Sequence, residues 1–404
     1  MNSVGYSRQI KTQRESMYLR VGVIGCGNIS DIYLTNAPRF KNLRYIACAD
    51  LKDEAAAKQA SKYGLRHDSI KGLLSAADID VVLNLTVPNA HYEVSAQALH
   101  SGKHVYSEKP ISASLEEGRS LLTMADSLGL RVGGAPDIIL GPSTQLAKSL
   151  VSEGQIGEVV TAVSCIMSRG MEHWHPNPAF FYQKGGGPVL DVGPYNIASL
   201  TAILGPVRSV RATGRIGSPE RLITAPGAAN GTTIKVETLT SVNALLTFVS
   251  GAEVTFLASW DVWSHGMRPT EIHGTRGSLR VPHPNWFDGT LEIYRDSKRE
   301  WVFLEPGPSR MAEKNYYWFG GHYANYRGAG LADMARAILD GRPHRCSGRF
   351  ALHTLAVMTG IIESAESGRV VELQDTCDIP ASLTDTEADN LFIESPVPPI
   401  GPPS

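Results

Sequence analysis

LRVGVIGCGNIS, residues 19–30, runs from a strand-like stretch, LRVGVI, into a turn carrying Gly25 and Gly27 and on into a segment of helical character. At such a strand-to-helix turn the backbone is tight. Its N–H groups, around Gly27, Asn28 and Ile29, are placed to hold a pyrophosphate at a helix N-terminus. Ser30 stands where a third glycine would complete the fingerprint, small enough for close helix packing. Glycine turns of this kind also arise for structural reasons alone, so the reading depends on what surrounds it.

The surroundings support it. The runs YIACA (45–49), VVLNL (81–85), HVYS (104–107) and RVG (131–133) read as strands, separated by helical stretches such as DEAAAKQASKYG whose ends carry glycine. That alternation implies an α/β fold with a doubly wound parallel sheet. Asp50 closes the second strand run at about the fingerprint distance, where a carboxylate accepts both ribose hydroxyls of an adenosine and repels a 2′-phosphate. This favours NAD over NADP, with Lys52 nearby keeping NADP open and a helix cap as the structural alternative for Asp50. Two further loops fall at strand C-termini, where doubly wound folds bind ligands: LTVPNAHYE (85–93), with Thr86, Pro88, Asn89 and His91, and YSEKPIS (106–112), with Glu108 and Lys109 before Pro110.

Beyond residue 155 the texture shifts to longer strand-like runs, among them EVVTAVSCIMS, VRSVRATGRI and TTIKVETLTSVNALLTFVS. A second, α+β domain with a large, mainly antiparallel sheet is expected there. The boundaries read as a flexible arm over 1–18, a dinucleotide domain over 19–137, a substrate and oligomerisation domain over 138–380, and a proline-rich tail over 381–404. With 404 residues, 42% of them hydrophobic, the chain can build two cores. The 38 basic and 40 acidic residues nearly cancel, which argues against nucleic acid or a membrane surface as partner. Five cysteines without a CxxC pair argue against a disulfide framework and make the cytoplasm the default compartment.

GGGPVLDVGPYNIASL (185–200) places Asp191 and Tyr195 four positions apart at the start of an apolar helical run, behind three glycines that leave the backbone able to approach a ligand. Pro194 falls in the first helical turn, where its missing N–H costs nothing. Asp191 as a cap and Tyr195 as a core ring form the structural alternative. SRGMEHWHPNPAFFYQK (168–184) offers Arg169, His173, Trp174, His175 and Tyr182, and SWDVWSHG (259–266) offers Asp261 and Trp263. A sugar site wants this mixture of aromatic faces and directional hydrogen-bonders. The histidines lack a metal-ligand spacing, so no metal is expected.

GCGNIS, Asp50, the TVPNAH loop, EKP and GGGPVLDVGPYNI together resemble the glucose-fructose oxidoreductase and inositol dehydrogenase family, Gfo/Idh/MocA, over about residues 19–373. The resemblance implies an N-terminal Rossmann domain, a C-terminal domain with an open antiparallel sheet, a nicotinamide cofactor, and oxidation or reduction of sugars, cyclitols or similar polyols; with Asp50 this gives NAD-dependent hydride transfer on a sugar, glycoside or polyol hydroxyl as the expected function. It places Lys109, Asp191 and Tyr195 at catalytic positions and Glu108 against the nicotinamide ribose. Tyr195 stands where the family usually has histidine. A tyrosine is a poor base at neutral pH unless an ammonium favours its phenolate, so Tyr195 helped by Lys109, or Lys109 itself with Asp191 orienting it, would take the alcohol proton. A dinucleotide-binding sensor and a glycoside-cleaving enzyme that regenerates its NAD are the other functions this resemblance leaves open. A homo-oligomer joined through the C-terminal sheet is expected by analogy.

Overall fold

The computed structural model describes residues 17–394. Most of the expected N-terminal arm and the proline-rich end therefore lie outside the described residues. The chain divides into two units, residues 1–140 with 308–351 and 383–404, and residues 141–307 with 352–382. This differs from the two consecutive domains expected from sequence, because two late segments return to the first unit.

The first unit begins with β1 (Leu19–Ile24), α1 (Ser30–Asn36), β2 (Leu43–Ala49), α2 (Asp53–Tyr63), β3 (Arg66–His67), α3 (Ile70–Ser75) and β4 (Val81–Asn84). It continues through α4 (His91–His100), β5 (His104–Ser107), α5 (Leu115–Leu128) and β6 (Val132–Gly134). The strands pair in parallel in the order β3-β2-β1-β4-β5-β6. β4 and β5 are buried throughout, as strands covered on both faces must be. Local signals set the helix ends. Ser114 and Glu117 form a capping box on α5, and Gly129, at φ 64°, ends it in the left-handed conformation. Inside β1, a Cβ on Gly22 would lie 2.8 Å from Leu73, so glycine is what lets α3 pack this closely.

In the second unit, α6 (Pro142–Ser152) leads to β7 (Val159–Met167), the short α7 (Pro188–Asp191), α8 (Gly193–Leu204) and β8 (Val207–Arg215). Then come the hairpin β9 (Glu220–Leu222) and β10 (Thr233–Lys235), and the strands β11 (Ser241–Phe248), β12 (Glu253–Ser259), β13 (Thr270–Gly274), β14 (Gly277–Val281), β15 (Leu291–Arg295) and β16 (Trp301–Leu304). Eight of these strands and the later β19 (Val371–Glu372) form one nine-stranded sheet, ordered β16-β15-β14-β13-β7-β12-β11-β8-β19. All its pairings are antiparallel except β12 with β7. Along β11, Val242, Ala244, Leu246 and Phe248 are buried and the residues between them are not, the period-2 pattern of a sheet covered on one face. The run TTIKVETLTSVNALLTFVS, continuous by composition, is split: its first part pairs with β9 and only its second joins the large sheet.

The chain then returns to the first unit with β17 (Tyr316–Trp318), β18 (Gly321–Tyr323) and α9 (Ala329–Asp340). The long α10 (Gly348–Ser367) follows, and α11 (Asp385–Asp389) comes after β19. Polar side chains fix this return. Asn36 Nδ2 donates to the carbonyls of Asn325 (2.9 Å) and Arg327 (3.1 Å), and Asn315 donates to Asn36 Oδ1 at 3.1 Å. Phe392 bridges to Phe40 with ring centroids 5.2 Å apart, so the region read as a proline-rich tail over 381–404 includes buried residues at Leu391 and Phe392.

Candidate functional site

At the C-terminal edge of the parallel sheet, Gly25 has φ 101°, and a Cβ there would meet the Leu85 carbonyl carbon at 2.5 Å. Only glycine allows the first turn to run against β4's end. A Cβ on Gly27, by contrast, would meet nothing within 4 Å, which leaves space above the turn. Among the described residues the N–H groups of Gly27, Asn28 and Ile29 have no protein acceptor. Asp50 accepts from the N–H of Cys26 at 2.7 Å and of Lys52 at 2.8 Å, one bond to each oxygen. Both bonds hold the carboxylate beside the turn, with lone pairs to spare for a diol. Free backbone donors beside a fixed carboxylate are the donor set a dinucleotide's pyrophosphate and adenosine ribose require, so these residues fit the cofactor.

The second and third loops interlock. Asn84 Oδ1 accepts from Thr86 Oγ1 at 2.7 Å. His91, 1% exposed, sets Nε2 2.9 Å from the Thr86 carbonyl and Nδ1 2.5 Å from that of Pro110. His91 was expected to touch cofactor. Its burial makes it a pin between the two loops instead, while Pro88 and Asn89 stand exposed at the rim. Glu108 is 7% exposed, and its carboxylate accepts from the Tyr33 hydroxyl at 2.8 Å and from the Lys109 N–H at 2.9 Å. Lys109 itself is half-buried.

Behind this lies a buried polar layer that sequence reasoning missed. Asp137 accepts the N–H groups of Gly328 (2.8 Å) and Gly330 (3.1 Å) at the start of α9. Burial pushes its carboxyl from 3.8 up to about 6, against the pull of those N–H groups and the Arg327 charge. Burial and the Glu108 charge push the Tyr33 hydroxyl well above its ordinary value. No spacing rule links residues 33, 108 and 137; only the fold does.

In the second unit the triple glycine has a packing explanation. Gly185 and Gly187 have φ of 86° and 93°. A Cβ on Gly186 would lie 2.3 Å from the Phe181 carbonyl oxygen, and one on Gly187 would lie 2.9 Å from that of Leu239. The loop leads into α7, which ends at Asp191, and Val192 takes the N-cap of α8 without a side-chain cap bond. Asp191 is therefore not the cap of the long helix. Pro194 lies in the first turn of α8, as expected. Every residue of α8 is buried except Tyr195, which is half-buried, as is Asp191. Asp191, at the end of α7, and Tyr195, in the first turn of α8, thus lie four positions apart at the one end of α8 that is not fully buried.

Of the residues read as sugar-binding, Arg169, Asp261 and Trp263 line one cavity of about 550 Å³, together with Arg215, Arg221 and Glu172. Tyr182 is fully buried behind it, its hydroxyl donating to Glu172 and accepting from the Met171 N–H at 3.0 Å. Trp174 and His175 pack elsewhere: Trp174 lies against a core of Met171, Phe181 and Trp260, and His175 meets Phe180 and Phe181 edge-on. His173 is half-buried with Nδ1 unpartnered among the described residues, and burial lowers its pKa. Arg221, which joins Glu172 to Asp261, came from an unremarkable polar hairpin that gave no sequence signal.

A parallel sheet ordered 3-2-1-4-5-6 with a glycine turn and an acidic β2 end, followed by a nine-stranded sheet, defines a dinucleotide-binding oxidoreductase architecture. Residues 19–134 match the model for the oxidoreductase family with an NAD-binding Rossmann fold, and residues 144–280 match the GFO/IDH/MocA C-terminal domain. The chain belongs to the Gfo/Idh/MocA oxidoreductase family, and its first unit carries an NAD-binding Rossmann domain. It is 30% identical to D-glucoside 3-dehydrogenase of Escherichia coli (strain K12) over 212 residues, 50% of this chain and 59% of that relative. It therefore spans less than two thirds of that protein. The 1,5-anhydro-D-fructose reductase of Ensifer adhaerens is 22% identical over 366 residues, 88% of this chain and 98% of the relative. Levoglucosan dehydrogenase in complex with NADH and L-sorbose shares the fold, with a TM-score of 0.74 at 22% identity over 88% of this chain and 99% of that one. Among the described residues no helix is long and apolar enough to cross a membrane.

Proposed function

We propose that this protein is an NAD-dependent oxidoreductase that moves a hydride between a sugar, glycoside or polyol hydroxyl, or the matching ketone, and nicotinamide. The observation that carries the reading is Glu108, buried and bonded to both Tyr33 and the Lys109 N–H, which fixes Lys109 at the ligand-binding edge of an NAD domain. When bound, the nicotinamide supplies the redox chemistry. The chain supplies binding and proton handling.

The Gly27, Asn28 and Ile29 N–H groups hold the pyrophosphate, and Asp50 takes the adenosine ribose hydroxyls and disfavours NADP. Glu108 aims at the nicotinamide ribose. Lys109, Asp191 and Tyr195 manage the alcohol proton, with Tyr195 or Lys109 accepting it and Asp191 orienting the acceptor. Relatives named for glucosides and an anhydrofructose support the substrate class. A screen of polyols, free sugars and glycosides for NADH formation, run in parallel with NAD and NADP, tests it. Absence of turnover in either direction with both cofactors sinks the proposal.

A further inference from the structure

The cavity in the second unit has a charge pattern that a neutral sugar does not need. It lies where β8, β11 and β12 end together, at Arg215, Ser241 and Ser259, which pair across the sheet in register. Both of its carboxylates are already engaged. Glu172 accepts from Arg221 at 3.0 Å and from the Tyr182 hydroxyl, and Asp261 accepts from Arg221 and, at 2.7 Å, from Thr240 Oγ1. Each carboxylate oxygen therefore has a donor. Both acids are thus engaged by the protein itself before a ligand arrives.

The cations are different. Arg221 is held between the two acids with only 11% of its side chain exposed. Arg169 and Arg215 also line the cavity, and among the described residues neither forms an ion pair. Three arginines against two carboxylates leave the walls with one excess positive charge. Arg169 lies over the Trp263 ring, its guanidinium carbon 4.4 Å from the centroid. A guanidinium held over an indole by cation–π attraction keeps N–H donors with which to grip an oxyanion. Trp263 is 79% exposed. An indole beside hydrogen-bonding groups suits the mixed C–H and hydroxyl surface of a sugar ring. The volume, about 550 Å³, falls among those of small-molecule sites.

We propose that this cavity binds an anionic monosaccharide, its carboxylate or phosphate held by Arg169 and Arg215 and its ring set against Trp263. The inference concerns binding alone and holds whether or not the protein oxidises that sugar.

Titration calorimetry without cofactor tests it, using D-glucuronate, D-glucose 6-phosphate and D-glucose as probes, with acetate and inorganic phosphate as bare anions. At least one charged sugar should bind ten times or more tighter than glucose, and the preference should shrink as salt rises. Whichever charged sugar binds tighter identifies the anion. The double variant Arg169→Ala with Arg215→Ala should lose the preference while its thermal midpoint and NAD affinity stay as in the wild type, both arginines being exposed. Trp263→Ala should weaken the sugar but not the bare anion. Equal binding of glucose and the charged sugars, bare anions binding as tightly as the sugars, no binding of either charged probe at millimolar concentration, or an unchanged preference in the double variant would each overturn the proposal.

Discussion

Asp137→Asn isolates one buried ionisation. Asp137 is 1% exposed, and burial lifts its carboxyl from 3.8 to about 6. The folded protein holds that proton more tightly than the unfolded chain does. The group's contribution therefore favours folding fully below about pH 4 and is lost as pH rises through about 6. A rise of roughly two pKa units at about 1.4 kcal/mol each amounts to ~3 kcal/mol. Asparagine keeps a carbonyl oxygen for the Gly328 and Gly330 N–H groups and cannot ionise. Urea unfolding of both proteins across the pH range gives the difference in stability. Relative to wild type, the variant should gain about 3 kcal/mol between about pH 4 and pH 7. His104 and His344, which burial pushes down to about 4, titrate in the opposite sense, but they are common to both proteins and cancel in the difference. A difference that stays flat with pH would refute the reasoning, because it would mean that Asp137 titrates alike folded and unfolded.

Three further outcomes follow from the site. Tyr33→Phe removes a 2.8 Å bond to the buried Glu108 carboxylate, so unfolding free energy should fall by about 2 kcal/mol and NAD affinity should weaken with it; a loss under about 0.5 kcal/mol would show that the bond contributes nothing. Asp50→Ala should erase a preference for NAD over NADP of roughly tenfold or more, read by quenching of cofactor fluorescence, and a wild type that binds both equally would remove this role from Asp50. Tyr195→Phe should lower turnover about a hundredfold with NAD binding unchanged, and Lys109→Ala should do at least as much harm. If Tyr195→Phe keeps near-normal turnover and the same basic limb in its pH profile, the tyrosine is structural and Lys109 with Asp191 handles the proton.

The parts of the fold written in local signals were readable from the chain. β1 and its glycine turn, the alternation up to β6, and the placement of Glu108 and Lys109 after β5 all depend on neighbours a few residues apart. What could not be read depends on distance in sequence. Glycines 185 to 187 looked like a loop made loose for a ligand, but Gly186 and Gly187 are required by the Phe181 and Leu239 backbones. Tyr182 and Asp261 looked like free hydrogen-bonders, but a single arginine, Arg221, draws Glu172 and Asp261 together and fixes the tyrosine behind them. His91 was read as a cofactor contact in a loop and is buried, because the carbonyls of Thr86 and Pro110 close around it. Burial and long-range partnership decide these cases, and neither is marked by residue type.

The return of residues 308–351 and of the chain after 383 to the first unit bears on how the protein is made. Phe40 finds its partner Phe392, and Asn36 its partners Asn315 and Asn325, only after 279 or more further residues have been synthesised. The first unit starts to emerge before the second and is completed after it. It cannot be cut out as a fragment ending near residue 140, and a chain stopped short of Phe392 leaves the Phe40 ring uncovered.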